Sequence, residues 1–169
     1  EDKNVRFKAT ADGRLGNAML VEKKTGNGSL VAYPYAIDVT PAKSYTVSAY
    51  VKIVCEESIE SSISFTVKEL DENGVKTSDE KPAVLSSVTG ATNGWQKVEF
   101  LFTTSENGAK IVPMAEFKGK GDFYLDDMAV RATTIYDNTV SYKMQAIGKL
   151  SDGASDNLTS IDGDKTAIK

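Results

Sequence analysis

The stretch SYTVSAYVKIV, residues 44–54, alternates apolar with small or polar side chains without a break. A period of two places each set on one face of an extended strand. Tyr45, Val47, Ala49, Val51 and Ile53 make one apolar row, with Thr46, Ser48, Tyr50 and Lys52 opposite. Shorter versions recur in VRFKAT (5–10), NAMLVEK (17–23), SLVAYPYAIDV (29–39), SISFTVKEL (62–70), WQKVEFLFTT (95–104), AKIVPMAEFKG (109–119) and GDFYLDDMAVRA (121–132). Between them stand turn signals such as ADGRLGN, TGNG, DENG and SENG. No window of helical length carries a 3.6-residue period. Strands at such short spacing predict an all-β chain folded as an antiparallel β-sandwich.

Within these strands the apolar rows Ile63, Phe65, Val67 and Val98, Phe100, Phe102 are expected to face the core. Ser64, Thr66, Lys68 and Lys97, Glu99, Leu101 then face outward. In AKIVPMAEFKG both rows are mixed, so Ile111, Pro113, Ala115 and Phe117 or Val112, Met114, Glu116 and Lys118 could be the inward set. After Arg131 the character changes. TVSYKMQAIGKL (139–150) could form one further strand, and SDGASDNLTSIDGDKTAIK is polar and free of aromatics. We expect residues 1–133 to form the sandwich, and residues 134–169 an extra strand plus a linker or the start of a following module; alone that segment buries too little to fold.

The chain contains no histidine, which removes Ser-His-Asp triads, Cys-His pairs and histidine-liganded zinc together. The single cysteine, Cys55, can form neither an internal disulfide nor a zinc site, and it reads as a free structural thiol. A net charge of −4 gives no general attraction to nucleic acid. No apolar run reaches the roughly 20 residues that span a bilayer, so membrane insertion is not expected. EDKNVRFK has no signal-like apolar stretch, so any targeting peptide is expected outside this sequence.

The outward rows collect hydroxyls, lysines, a glutamate and a tyrosine, a combination suited to a sugar chain. Aromatic rings stack on the apolar faces of pyranoses, and charged or hydroxyl side chains reach the sugar hydroxyls. Tyr50, with Lys52, Lys68, Glu116 and Lys118, is the candidate set. Tyr33 and Tyr35, two residues apart and so about 7 Å along a strand, could add a stacking platform. Pro34 between them belongs at an edge or bulge. Each tyrosine could equally be a structural side chain, and Trp95 reads better as a core plug.

Adjacent carboxylates, Asp126 and Asp127, sit in the middle of GDFYLDDMAV. Neighbours on a strand point to opposite faces, so they cannot form the facing pair that glycoside hydrolysis requires. Uninterrupted alternation would group Asp126 with Tyr124, Met128 and Val130. If that row is the core, Asp126 is a buried carboxylate that needs a metal, an ion pair or backbone N–H donors.

SYTVSAYVK, GWQKVEFLFTT and GDFYLDDMAV, in that order and at those distances, together with ATADGRLGNAMLVE, resemble carbohydrate-binding modules of the family 4, 9, 16 and 22 type over roughly residues 5–131. The resemblance implies a galactose-binding-like jelly roll, non-catalytic, binding polysaccharide or oligosaccharide on one sheet. It implies a secreted or cell-surface bacterial protein, covalently linked to glycan-degrading modules. It further implies a structural Ca²⁺, for which Asp126, Asp12 and the Gly16 carbonyl are the expected donors. The family's usual opening strand and the Trp-containing loop after it are absent, which bears on that calcium site. GKLSDGASDNL (148–158) resembles the opening of bacterial Ig-like repeats. The competing reading is a structural spacer domain of a modular surface protein that binds no small ligand. A hydrolase with Glu99 or Glu116 as acid has least support.

Overall fold

The structure is a computed structural model that describes residues 4–133 apart from 33, 34, 58, 59 and 79, with backbone only for 30 and 32. The expected extra strand at 139–150 and the Ig-like segment lie outside the described residues, as does Tyr33. The described residues form ten strands. They are β1 (Val5–Thr10), β2 (Ala18–Lys23), β3 (Ser29–Ala32), β4 (Ile37–Asp38), β5 (Ser44–Val54), β6 (Ser62–Leu70), β7 (Ser86–Thr89), β8 (Gln96–Thr103), β9 (Lys110–Lys118) and β10 (Gly121–Ala132).

They build two antiparallel sheets. One has the order β1-β2-β10-β5-β8, the other β3-β9-β6-β7, with β4 also pairing to β9. This is an all-β sandwich of jelly-roll type. The expected bounds of β1, β5 and β6 match the strands found. The expected strand over 29–39 is instead two short ones, β3 and β4; Pro34, expected at an edge or bulge, lies outside the described residues. β7 has no counterpart in the sequence reading. Only Val88 of its four residues is buried, too short a run to show a period.

Val21, Val47, Val51 and Ile53 of the first sheet meet Ile63, Phe65, Ile111 and Phe117 of the second, all fully buried. This decides the face of β9: Ile111, Ala115 and Phe117 point inward, and Met114, Glu116 and Lys118 outward. Two aromatic pairs join the layers, Phe117 with Phe123 (centroids 5.7 Å apart, edge to face) and Phe65 with Phe100 (5.9 Å). Each buried ring contributes about 1.5–3 kcal/mol of transfer free energy. Lys23 takes a core-row position at 3% exposure, and its Nζ donates to the carbonyls of Gly28 (3.0 Å) and Phe117 (3.1 Å), tying β2 to the opposite sheet.

At the turn into β10, Gly119 has φ +86°, and a Cβ there would lie 2.5 Å from the Glu60 carbonyl oxygen. Conformation and space both require glycine at that position.

Candidate functional site

The two adjacent aspartates lie where β10 bulges. Its pairing with β5 shifts between Asp126, opposite Tyr50, and Ala129, opposite Ser48, and Asp127 adopts φ 49°. A bulge inserts one residue and reverses the alternation after it. Phe123, Leu125, Met128 and Val130 therefore all pack on the core, while Tyr124 and Asp126 face out in the rows of Lys52 and Tyr50. The grouping of Asp126 with Met128 and Val130, and the buried carboxylate it implied, is thereby corrected. Asp126 Oδ2 accepts the backbone N–H of Arg14 (2.8 Å), and Oδ1 accepts that of Asp127 (2.8 Å).

Around this point the outer face of the first sheet is closed by its own cations. The Arg14 guanidinium carbon lies 3.9 Å from the Tyr50 ring centroid, with Nη1 3.6 Å from Asp127 Oδ2. Lys52 Nζ sits 4.1 Å from the Tyr124 centroid and 5.3 Å from that of Trp95, and is ion-paired to Asp12 at 2.6 Å. Trp95 meets Tyr124 edge to face at 6.1 Å. Trp95 is thus part of an outer-face cluster rather than a core plug.

The oxygens expected for calcium do not fit that role as they stand. Ca²⁺ takes six to eight oxygen ligands. Asp12 is neutralised by Lys52, the Gly16 carbonyl accepts the Gly13 N–H (3.1 Å), and both oxygens of Asp126 accept backbone N–H groups. Among the described residues no group of three or more Asp, Glu, Cys or His stands together as a donor set.

The outer face of the second sheet differs. Its register aligns Val31, Glu116, Ser64 and Ser87 in one cross-strand row, Thr66 with Met114 in the next, then Lys68 with Val112. Ser64 (8%), Thr66 (8%) and Glu116 (9%) point outward yet are nearly closed to solvent, as at the floor of a groove. Ser64 and Ser87 share a hydrogen bond (3.1 Å), and Lys118 Nζ lies 3.8 Å from Glu116 Oε2. A cavity opens at each end: about 480 Å³ beside Lys68 and Met114, and about 490 Å³ beside Ser62, Ser29 and Lys118. From Ser62 to Lys68 along β6 is about 20 Å at roughly 3.3 Å per residue. Tyr35 stands 91% exposed just beyond β3.

The expected site residues therefore divide between two surfaces. Tyr50 and Lys52 belong to the first sheet, and Lys68, Glu116 and Lys118 to the outer face of the second, on the other side of the sandwich. Alternation assigns residues to inner or outer faces but not to one of two outer faces. Glu99 (β8) and Glu116 (β9) are separated in the same way, so they cannot flank one scissile bond. The sequence reading missed Arg14 and the wall residues of 76–85, which carry no periodic signal. It had placed Ser64 and Thr66 outward without including them in the site.

The jelly-roll sandwich with a shielded polar row on one outer face is compatible with a non-catalytic polysaccharide-binding module, and the family match carries that class. The chain belongs to the carbohydrate binding domain family CBM_4_9, whose family model matches residues 2–122. No curated protein matches the sequence. Among solved structures it is similar to the CBM22-1–GH10 modules of the Clostridium thermocellum endo-1,4-β-D-xylanase 10B complexed with xylohexaose (TM-score 0.56, 17% identity, 77% of this chain and 25% of that one). It is also similar to the CBM22-2 xylan-binding domain of Paenibacillus barcinonensis Xyn10C (TM-score 0.55, 13% identity, 78% and 89%). The enzymatically active domain of bacteriophage CBA120 tailspike protein 4 matches as well (TM-score 0.56, 11% identity, 76% and 18%). At such identities the likeness is one of fold, which different functions share.

Proposed function

We propose that the groove on the outer face of the β3-β9-β6-β7 sheet holds a β-linked polysaccharide of the xylan type. The observation that carries this reading is the row Ser64, Thr66 and Glu116, outward-facing and yet 8–9% exposed. Hydroxyl and carboxylate groups on a floor of this kind exchange hydrogen bonds with sugar hydroxyls. Met114 and Val31 offer apolar contact, and Tyr35 offers a ring at the rim. A sugar on the first sheet would have to displace Arg14 from Tyr50 or Lys52 from Tyr124, which favours the second sheet. Xylan binding by the structurally similar family 22 modules supports the ligand class.

We further propose that the module is secreted or displayed on a bacterial surface within a longer glycan-degrading protein, with residues 134–169 leading to the next module. The test is affinity electrophoresis in gels containing xylan, mixed-linkage glucan or glucomannan. Retardation of the wild type by xylan, weakened in Thr66→Ala and Glu116→Ala variants, supports the groove. The spacer reading draws on one observation: the aligned floor residues Ser64, Thr66, Lys68, Val112, Met114 and Glu116 include no aromatic ring. Absence of retardation in every gel would leave a spacer domain or a ligand outside these polymers, and would move the preference to the spacer.

A further inference from the structure

We propose that the Lys68 end of this groove is a subsite for a carboxylate-bearing sugar, so that the preferred chain carries uronic acid units; this rests on the polysaccharide reading above. β7 pairs with β6 only over Ser62–Phe65. Past that point the segment after the Leu70–Lys76 bridge leaves the edge of β6, and the cavity of about 480 Å³ lies between them. Its apolar lining includes Pro82, Leu85, Phe102 and Met114, and its cationic lining is Lys68, Lys76 and Lys81.

None of these three ammonium groups is ion-paired among the described residues, whereas Lys8, Lys52, Lys97 and Lys118 all are. Two carboxylates also line the cavity. Glu69 has both oxygens engaged, Oε1 by the Ser105 N–H (2.7 Å) and Oε2 by the Thr77 hydroxyl (2.8 Å). Glu80 is exposed on the loop. Among the described residues, three lysines without an ion pair thus line the cavity with Glu80 as the one carboxylate not already hydrogen-bonded, above an apolar surface on which a pyranose ring can rest. At the opposite end, Lys118 has Glu116 at 3.8 Å and Glu60 lining the same cavity, so the excess of positive charge is confined to one end. A uronate placed there would meet the half-buried Lys68 and the exposed Lys76 and Lys81, and hydrogen bonds assisted by charge exceed neutral ones.

The experiment is isothermal titration calorimetry of the full chain with glucuronoxylan and with the same polymer after carboxyl reduction, at low and high salt. The expected result is roughly tenfold weaker binding of the reduced polymer, the scale of one charge-assisted hydrogen bond. High salt should remove most of that difference. Lys68→Gln should erase it, and so should the loop pair Lys76→Gln with Lys81→Gln, which leaves the sheets untouched. Equal affinity for both polymers, or a preference that survives these substitutions, overturns the subsite and leaves the groove reading standing. Failure of both polymers to bind overturns the groove reading, and the subsite with it.

Discussion

The guanidinium of Arg14 lies over the Tyr50 ring, its central carbon 3.9 Å from the ring centroid. The tyrosine that alternation marks as a sugar platform is therefore already covered by the chain's own cation. Both partners are tied down further: Arg14 through its N–H to Asp126, and Tyr50 through its place opposite Asp126 in the β5–β10 ladder.

Tyr50→Ala is therefore expected to leave polysaccharide affinity unchanged. It should lower stability by roughly 1 kcal/mol, the scale of a surface cation–π contact. Affinity electrophoresis paired with urea denaturation measures both. Loss of binding without loss of stability would move the site to the first sheet.

In the groove the expected pattern is the reverse. Glu116→Gln keeps the volume and removes the acceptor charge, and should weaken xylan binding roughly tenfold if the carboxylate accepts a sugar hydroxyl. Glu116 is also near Lys118, but at 3.8 Å and with Lys118 half-exposed that pair contributes little. The melting temperature should therefore barely move.

Because Asp12, Gly16 and Asp126 are engaged within the protein, EDTA is expected to leave the melting temperature and xylan retention unchanged. Asp126→Ala, by contrast, removes the acceptor of the Arg14 and Asp127 N–H groups, one part-buried and one exposed, and should cost about 1 kcal/mol. A calcium-dependent rise in melting temperature that Asp126→Ala abolishes would restore the metal to this loop.

Lys23→Met tests the tie across the sandwich. Methionine fills much of the same space but donates nothing to the Gly28 and Phe117 carbonyls. A loss of about 1–3 kcal/mol per stranded acceptor is the expected range. A neutral result would show that the ammonium is replaceable by packing.

At the edge of the first sheet, the Glu22 carboxyl is held below its usual range by its hydrogen bond from Lys8. A depressed carboxyl stabilises the fold above its unfolded-state pKa, and that contribution disappears as pH falls through the lowered value. Glu22→Gln should therefore lower stability slightly at neutral pH, leave the most acid region, where that contribution is already lost, as it was, and so flatten the acid limb of a stability–pH curve.

The sequence by itself determined most of the strands and the inward faces of β5, β6 and β8, because a buried row needs an unbroken run of apolar side chains at period two. This is why Val47 to Ile53 and Ile63 to Val67 were legible. It also determined that this stretch holds no histidine and a single cysteine, so no histidine-based triad and no internal disulfide can form within it. Short edge strands such as β7 left no such trace, since hydrogen bonding to a neighbour, rather than burial, holds them. Only the tertiary structure decided which outer face each polar row joins. Tyr50 and Lys68 have the same local signature, and strand order places them on opposite sides of the sandwich. Likewise, the bulge at Asp127 reverses the alternation in a way that residue types do not announce. It turns Met128 inward and leaves Asp126 outside, bonded to a loop more than a hundred residues away in the chain. Long-range pairing sets these relations, and local patterns do not encode it.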